Sequence, residues 1–360
     1  MRICLNMIVK DESQVIERCL RSVKHFIHSW AISDTGSSDG TQDIIRRVMS
    51  DVPGELIERP WVDFATNRNE ALELAKKHGD YALIIDADEV LETDPGFAWG
   101  PLGDSAYLIE FVYGPTRYRR MALPKLDAGW SWHGVLHEVL ARPQHTDLRA
   151  LPGLRIRVHS DGFRSRQPLA EKFARDADVL RRALEAEPDN TRYAFYLAQS
   201  LRDAGQFPQA MAAYRHRAAM GGWGEEIYYA CWQAAVLHER TGGAYADVVV
   251  DYLDAVNFAP MRAEALCDLA RYLRQNGRYA LARQFAQAAS RLQAPPDALI
   301  LDSTVYEWRA RAELAVACHF LGDRAESVRL WRELVADPRL PAHERERMQQ
   351  NLASAAAPMK

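Results

Sequence analysis

Two kinds of hydrophobic pattern divide the chain near residue 167. Before that point, short apolar runs alternate with amphipathic stretches, and residues 3–9, 81–85 and 106–113 have the run lengths of strands. A continuous apolar run is typical of a strand that is buried on both faces of a parallel sheet. Strands that alternate with helices predict an α/β, doubly wound (Rossmann-like) domain over residues 1–167.

One helix of this domain is predicted over residues 67–78. Asn67 and Glu70 have the spacing of a capping box, in which each side chain bonds to the other residue's backbone N–H. Gly79 has the right position to end the helix. We therefore expect the helix to begin at Asn67.

Beyond residue 167, apolar residues recur at helical spacing and a longer pattern repeats. Ala198-x-x-Leu201-x-x-x-Gly205 returns as Ala270-x-x-Leu273-x-x-x-Gly277, at about twice the 34-residue period of tetratricopeptide repeats. Weaker copies contain Gly242 and Gly322. We predict a linker helix over 168–187 and an all-α, tetratricopeptide-like solenoid over 188–360. An irregular helical bundle is the alternative.

The charge balance and the absence of long apolar runs limit the classes of partner. The chain has 45 Lys and Arg against 49 Asp and Glu, so no overall positive field favours a nucleic acid. No uncharged apolar run approaches the roughly 20 residues of a transmembrane segment. Five scattered cysteines and an N-terminus without a signal-peptide pattern indicate a reducing compartment. We expect a cytoplasmic protein, with a peripheral place at the inner face of the membrane as the alternative.

The strongest local signal is Asp86-Ala87-Asp88-Glu89, directly after the apolar run at 81–85. Ligands of open α/β sheets bind beyond the carboxyl ends of the strands. Two carboxylates at that place suit a hard divalent cation, which prefers oxygen ligands. Val90 and Leu91 stand where an EF-hand loop needs an oxygen ligand and a glycine, so that kind of site is excluded. An acidic helix N-terminus remains an alternative, and no phosphate-binding Gly-x-x-x-x-Gly-Lys motif is present.

Four segments, taken in their order along the chain, resemble glycosyltransferase family 2, whose members use nucleotide sugars and have the GT-A fold. The segments are Ile8–Glu12, Ser33–Thr41, Arg68–Leu72 and Ile85–Glu89. Two later segments, Gly134–Glu138 and His159–Phe163, resemble the branch of this family that is fused to C-terminal tetratricopeptide repeats. That branch includes protein, peptide and cell-surface glycan glycosyltransferases.

The resemblance implies a role for each matching residue. Val9, Glu12 and Asp34 would line the base and ribose pocket of the donor, and Arg68 would face the nucleotide. In the Asp-x-Asp (DXD) motif, Asp88 would bind Mn²⁺ or Mg²⁺ directly, and Asp86 would contact the ribose or the metal. His159 would be a late ligand of the metal or the diphosphate, and an imidazole ligand favours manganese.

The base that activates the acceptor is expected within Trp130–Glu138, where two aromatic side chains stand beside histidines and an acid. This segment departs from the Glu-Asp pair that is commoner at the base position of the family. Glu138 is favoured as the catalytic base over His137. Asp127 remains a further candidate for the base.

Several arginines surround these segments, and they have two interpretations. They would either contact a diphosphate or an anionic acceptor, or form ion pairs at the surface. They are Arg117, Arg119, Arg120, Arg155, Arg157, Arg164 and Arg166.

The resemblance implies a metal-dependent, inverting hexosyltransferase with a nucleoside diphosphate sugar as donor, most commonly a UDP-sugar. The acceptor would be a peptide or protein, or a cell-surface glycan. The repeats would position the acceptor or form a homodimer. The alternative is a repeat-based protein-interaction adaptor with a catalytically inactive GT-A domain, although the intact Asp86 and Asp88 argue against it. A nucleotidyltransferase would need a Gly-rich basic loop after the first strand, and residues 9–12 do not provide one.

Overall fold

The computed structural model of the chain describes residues 1–114, 116–142, 144, 148–295 and 298–356. The chain divides into two compact units, Met1–Ala183 and Leu184–Lys360. A helix over Leu169–Ala186 spans the point of division, in the region of the predicted linker helix. The domain boundaries at 167 and 187 stay predictions.

The first unit is an α/β structure whose first sheet is parallel. Its elements are β1 (Ile3–Val9), α1 (Ile16–Val23), β2 (Ser29–Asp34), α2 (Thr41–Val48), β3 (Gly54–Glu58), α3 (Phe64–Ala75), β4 (Tyr81–Ile84), β5 (Glu89–Thr93), β6 (Ala106–Tyr113), β7 (Thr116–Pro124), β8 (Ser131–His133), β9 (Val139–Ala141), β10 (Arg149–Val158) and α4 (Leu169–Ala186). The parallel strands lie in the order β3-β2-β1-β4. Nearly all of β1 and the whole of β4 are buried, so the structure confirms the α/β prediction made from their apolar runs.

A second, mixed sheet has the order β5-β10-β6-β7. Its strand β5 begins at Glu89, directly after the Asp86–Asp88 turn, and pairs antiparallel with β10. The sequence pattern did not predict β5, because acidic residues interrupt its apolar positions. Since β4 belongs to the first sheet and β5 to the second, the two aspartates lie at the connection between the sheets.

The helix that was predicted from Asn67 begins earlier, so that prediction is wrong. Helix α3 spans Phe64–Ala75, and the side chain of its N-cap residue, Asp63, accepts a hydrogen bond from the Thr66 N–H. Asn67 is buried inside the helix, where its amide bonds to the backbone of the preceding segment. Aspartate and asparagine are both favourable N-cap residues. Asp63 is the cap here, because its carboxylate accepts the hydrogen bond of the Thr66 N–H.

A buried amide attaches α3 to the first sheet. The Asn6 side chain on β1 donates to the carbonyl oxygens of Ala71 at 2.7 Å and Ala31 at 3.4 Å. Asn6 is buried, so these oxygens replace the water that its amide would otherwise bind. This contact fixes the distance between β1 and the helix that carries Arg68.

The second unit consists of helices that pack against their neighbours in chain order. They are α5 (Thr191–Asp203), α6 (Phe207–Ala219), α7 (Gly224–Arg240), α8 (Tyr245–Phe258), α9 (Ala263–Gln275), α10 (Tyr279–Ser290), α11 (Ala310–Phe320), α12 (Arg324–Ala336) and α13 (Ala342–Ala356). The four glycines of the sequence repeat each join two successive helices with a positive φ: Gly205 (77°), Gly242 (77°), Gly277 (71°) and Gly322 (81°). The predicted all-α region of repeated helix pairs is confirmed.

The structure also describes the aromatic side chains, the cysteines and the length of the apolar helices. Most aromatic side chains of α5–α7 are buried, among them Phe195, Tyr214 and Tyr228, as expected for contacts between neighbouring helices. The five cysteines are free thiols. Within the described residues, no helix has the length and apolar character needed to cross a membrane.

Asn6→Ala should loosen α3 without unfolding the first unit. Removing the amide leaves the Ala71 carbonyl oxygen buried without this donor, which costs about 1–3 kcal/mol. Hydrogen exchange of peptides that span α3 should accelerate accordingly. The control is Gln14→Ala, which removes an exposed amide of the same unit. Equal exchange rates in α3 for both variants would contradict the role given to Asn6.

Candidate functional site

A cavity of about 500 Å³ lies in the first unit, at the carboxyl ends of β1 and β4. Six parts of the chain line it: the end of β1, Thr35 after β2, the segment from Trp61 into α3, the Asp86–Asp88 turn, the loop at 135–136 and the segment from Gly162 into α4. The lining residues are Ile8, Val9, Lys10, Glu12, Thr35, Trp61, Val62, Asp63, Phe64, Arg68, Asp86, Asp88, Val135, Leu136, Gly162, Phe163, Arg164, Ser165, Gln167, Lys172, Arg175, Asp176 and Val179. The predicted residues Val9, Glu12, Arg68, Asp86 and Asp88 are therefore brought together.

The loop after β1 is fixed against the loop after β2 by side-chain hydrogen bonds. The Glu12 N–H donates to the Thr41 hydroxyl at 2.9 Å. The Ser38 N–H donates to the Asp11 carboxylate at 2.8 Å, and Asp11 has a φ of 54°. A positive φ at a non-glycine residue costs energy, and these bonds to the neighbouring loop hold it in place. The Glu12 side chain is thereby presented to the cavity.

Arg68 of α3 binds two carboxylates from different parts of the chain. Its Nη2 donates to Asp86 Oδ1 at 2.9 Å, and its Nε donates to Glu138 Oε1 at 2.7 Å. Its side chain is 12% exposed and that of Glu138 is 13% exposed, so little water screens this ion pair. Its guanidinium also lies over the Trp132 ring, 5.0 Å from the ring centroid. The predicted nucleotide-facing arginine is thus held by the predicted catalytic base.

The next residue, Asn69, joins α3 to β8. Its amide nitrogen donates to the Trp132 carbonyl oxygen at 2.9 Å, and its amide oxygen accepts from the Trp132 N–H at 2.7 Å. The Arg68-Asn69 pair therefore orients both the aromatic residue and the acid of the segment 130–138. This segment contributes Val135 and Leu136 to the cavity wall.

Asp86 is neutralised by two arginines. Besides Arg68, the Arg120 guanidinium lies 3.9 Å from Asp86 and 3.5 Å from the buried Glu89. Burial by itself raises the pKa of Asp86, but Arg68, followed by Arg120, holds that pKa below its ordinary value. Asp86 therefore stays ionised and paired with Arg68 and Arg120.

Asp88 has a different environment, which it shares with Glu12. Asp88 Oδ2 accepts from the Gly162 N–H at 3.4 Å, and Glu12 Oε2 accepts from the Phe163 N–H at 3.0 Å. A Cβ on Gly162 would lie 3.1 Å from both Glu12 carboxylate oxygens and 3.2 Å from Asp88 Cγ. Gly162 therefore allows the two carboxylates to approach the same short stretch of backbone.

Burial and mutual repulsion act on both carboxyl groups of this pair. Burial, with a smaller contribution from Asp88, raises the pKa of Glu12 to about 7. Burial, followed by Asp86, raises the pKa of Asp88. Neither carboxylate forms an ion pair with a lysine or arginine of the described chain. A cation at this place would relieve the repulsion.

The other predicted site residues do not line the cavity. Asp34 is buried and organises the loop after β2, because its Oδ1 accepts from the N–H groups of Gly36 and Ser37. The His159 side chain is exposed, although its backbone N–H donates to the Asp88 carbonyl oxygen at 3.3 Å. His137 is exposed, with a φ of 51°. Asp127 is paired with Lys125 at 3.1 Å.

Most arginines of the predicted basic group form ion pairs within the first unit. Arg155 and Arg157 both contact Glu92, Arg117 contacts Glu110, and Arg164 contacts Asp176. These contacts fit the ion-pair interpretation for those four residues. Arg120 reaches the candidate site through Asp86 and Glu89.

The sequence interpretation missed the part of the cavity that α4 forms. Lys172, Arg175, Asp176 and Val179 all line the cavity, and their spacing of three, four and seven residues places them on one helix face. That spacing was present in the sequence, but nothing showed that this face turns toward the α/β core. Trp61 and Phe64 were missed as well, because the loop before α3 and the first residue of that helix show no periodic pattern.

Across the described ranges, no three His, Cys, Asp or Glu side chains cluster as a complete metal site. A cation at Asp88 and Glu12 would therefore take further ligands from a substrate or from water. Mg²⁺ is commonly bound in this way, through one or two carboxylates and substrate phosphates.

Comparison with known proteins covers part of the region that contains this site. Residues 4–95 match the family model described as glycosyl transferase family 2, so the first unit carries a domain of that family. The chain is 28% identical over 221 residues to the SPbeta prophage-derived glycosyltransferase SunS of Bacillus subtilis, a match that covers 55% of this chain and 49% of that protein. It is 38% identical over 91 residues to a TPR repeat-containing protein of Synechococcus elongatus, covering 25% of this chain and 21% of that one.

The chain therefore spans about half, or less, of the length of these curated relatives. Among solved structures, it is similar to BtubC from P. vanneervenii, with a TM-score of 0.41 and 15% identity over 54% of this chain and 84% of that one. It is also similar to a tetratricopeptide repeat protein from Parabacteroides merdae, with a TM-score of 0.39 and 20% identity over 51% of this chain and 66% of that one.

Arg68→Gln should destabilise the first unit by about 3 kcal/mol, because Asp86 and Glu138 lose a shared cation while they remain partly buried. For a unit of this size the melting temperature should fall by about 6–12 °C. Differential scanning calorimetry measures the change. Arg119→Gln, which removes an exposed arginine of β7, is the control and should leave the melting temperature unchanged. A normal melting temperature for Arg68→Gln would show that the two carboxylates do not depend on Arg68.

Proposed function

We propose that this chain, whose first unit carries a glycosyl transferase family 2 domain, is a metal-dependent inverting glycosyltransferase. Its donor is a nucleoside diphosphate sugar, with a UDP-sugar as the first expectation. One observation carries the proposal: at the carboxyl ends of β1 and β4, Asp88 and Glu12 face one cavity without an ion-pair partner in the described chain. A nucleoside diphosphate with a bound cation supplies the charge that this pair lacks.

The residues of the site fit a divalent cation. Asp88 and Glu12 supply hard oxygen donors, and the pKa of each is raised by burial, as expected of carboxylates that lack a cation partner. Asp86, in contrast, is held by Arg68 and Arg120. We therefore assign the cation to Asp88 and Glu12, and we give Asp86 the task of orienting the two arginines. Mn²⁺ or Mg²⁺ bound there would stabilise the negative charge on the departing nucleoside diphosphate.

The remaining donor contacts come from the strand ends. Val9 and Thr35 line the cavity at the ends of β1 and β2, so we assign the base and ribose to this side. Asp34 lies one residue before Thr35, and its Oδ2 has no hydrogen-bond partner among the described residues. Because Asp34 is buried and does not line the cavity, we propose that it serves the nucleoside side by holding the loop after β2. His159 lies beside Asp88 along the backbone, which supports its proposed role as a late ligand of the diphosphate or the metal.

Glu138 is the proposed catalytic base. Arg68 lines the cavity and binds Oε1 of Glu138, which orients this carboxylate, although Glu138 itself is not among the lining residues. Val135 and Leu136, from the same segment, line the cavity and would help to exclude water there. His137, the second candidate, has an exposed side chain and directly follows Leu136, which lines the cavity.

The acceptor is proposed to be a peptide or protein, or a cell-surface glycan. The repeated helix pairs of the second unit support a protein acceptor, because stacked helix pairs present extended binding surfaces. The same surfaces would suit a homodimer.

A thermal-shift panel tests the donor class without knowledge of the acceptor. The panel contains UDP, GDP, ADP and CDP with their common sugar derivatives, each with and without Mn²⁺. A ligand that binds only the folded protein increases its free energy of unfolding, by about 2.7 kcal/mol at a ligand concentration of 100 times Kd. The melting temperature rises as a result. We expect a shift that is specific to one nucleotide and requires the metal. Flat traces with folded protein would favour the adaptor function instead.

Asp88→Asn should abolish sugar transfer and the metal-dependent thermal shift. Loss of a cation ligand removes several kcal/mol of leaving-group stabilisation, which corresponds to a decrease in kcat/KM of about 100-fold or more. The ligand-free protein should remain as stable as wild type, because the substitution removes a crowded negative charge. Asp43→Asn is the control and should retain turnover, since it removes an exposed carboxylate of the first unit that does not line the cavity. Retained turnover in Asp88→Asn would contradict the metal-dependent mechanism.

A further inference from the structure

Helix α4 places two positively charged side chains in the cavity, on the face described above. Lys172 and Arg175 are three residues apart and line the same wall. Neither belongs to the segments that resemble the glycosyltransferase family or to the region matched by the family model, which ends at residue 95. Their role must therefore be derived from their surroundings.

Lys172 has no hydrogen bond or ion pair through its ammonium group within the described part of the chain. Its Nζ lies 5.2 Å from the centroid of the Phe173 ring. Lys172 is half-buried, and burial, followed by repulsion from Arg164, lowers its pKa. An ammonium that loses water without gaining a carboxylate is unfavourable, and a bound anion removes this cost.

Asp176 attracts the Lys172 ammonium, but this attraction is weaker than the repulsion from Arg164. Asp176 lies on the same helix face, but both of its oxygens accept from Arg164 Nη2, at 2.6 and 2.8 Å. Arg175 bonds to the neutral amide of Gln167 and to no described carboxylate. The α4 wall of the cavity therefore has an excess of positive charge, whereas the wall at Glu12 and Asp88 has an excess of negative charge.

Apolar side chains line the cavity together with this basic pair. Trp61 and Phe64 contact each other edge to face, with ring centroids 4.8 Å apart. The Arg164 guanidinium covers the Phe64 ring at 4.8 Å from its centroid. An anionic group held by α4 would thus be attached to a part of the ligand that packs against aromatic rings.

We propose that Lys172 and Arg175 form a subsite for an anionic group of the substrate, either a phosphate or a carboxylate. This inference deepens the proposed function and rests on it. The anion has two sources: the diphosphate of the donor, or a charged group of the acceptor. Helix α4 is in either case a substrate-binding element, and it is more than a connection to the second unit.

Chemical protection of lysines tests the subsite in the intact protein. The protein is treated briefly with an amine-acylating reagent, and acylation of each lysine is quantified by peptide mass spectrometry. The probes are UDP with Mn²⁺, uridine with Mn²⁺, and sulfate as a stand-in for a phosphate group, with and without UDP and Mn²⁺. If the panel above selects another base, its diphosphate and nucleoside replace UDP and uridine. Lys77, an exposed lysine outside the cavity, is the internal reference.

The two sources give different protection patterns. Protection of Lys172 by UDP but not by uridine, with Lys77 unchanged, assigns the anion to the donor diphosphate. Protection by sulfate in the presence of saturating UDP assigns it to a charged group of the acceptor. Unchanged acylation of Lys172 with every probe would overturn the subsite.

Substitution provides an independent readout. Lys172→Gln and Arg175→Gln should each lower the affinity for the probe that protects Lys172 by about tenfold or more. This is the effect expected for the loss of a charge-assisted hydrogen bond. Lys77→Gln makes the same change in net charge and should leave binding unchanged. Isothermal titration calorimetry measures all three variants. Wild-type affinity in Lys172→Gln, with the variant folded, would contradict the proposal.

The outcomes also separate this inference from the proposed function. If UDP binds wild type with Mn²⁺ but Lys172 is neither protected nor required, the inference fails and the glycosyltransferase proposal stands. If no nucleoside diphosphate binds wild type, the proposed function fails. Protection of Lys172 by sulfate alone then tests the subsite, because this measurement needs no nucleotide.

Discussion

The Arg68 guanidinium joins three parts of the first unit that are distant in the chain. It connects α3 to the turn after β4 through Asp86 and to the segment after β8 through Glu138. Helix α3 is itself fixed on β1 by the buried amide of Asn6. Since each link is short and at least partly shielded from water, a shift of any one element would leave a partly buried charge or a buried carbonyl oxygen without its partner. The cavity has its shape because these links are satisfied together.

This arrangement gives the two aspartates of the Asp-x-Asp motif separate electrostatic roles. Arg68 and Arg120 form ion pairs with Asp86. Asp88 and Glu12 instead accept hydrogen bonds from adjacent backbone N–H groups, those of Gly162 and Phe163. A carboxylate that is already neutralised is a poor cation ligand, whereas a crowded pair without a counter-ion is a good one. The proposed cation site therefore combines the end of β1 with the turn after β4, instead of using the two aspartates of the motif alone.

The sequence was most informative where local pattern and burial agree. The apolar runs of β1 and β4 and the glycine turns between the paired helices were predictable, because each depends on residues close together in the chain. The start of α3 was misplaced because two good capping residues stand four positions apart. The pairing of Arg68 with Glu138 and the α4 wall depend on contacts between distant residues. No periodicity encodes such contacts, so resemblance to a family located the site and the structure supplied its electrostatics.

We have proposed that Asp88 and Glu12 bind a cation together with a nucleoside diphosphate. Water-proton relaxation in Mn²⁺ titrations of the full chain measures this most directly, since protein-bound Mn²⁺ enhances relaxation more than Mn²⁺ held by the nucleotide alone. We predict weak Mn²⁺ binding by the protein and binding about 5- to 150-fold tighter when the nucleoside diphosphate is present, the usual range for coupled sites. The enhancement should disappear in Asp88→Asn. Relaxation equal to that of the protein-free mixture at every Mn²⁺ concentration would show that Asp88 and Glu12 hold no cation.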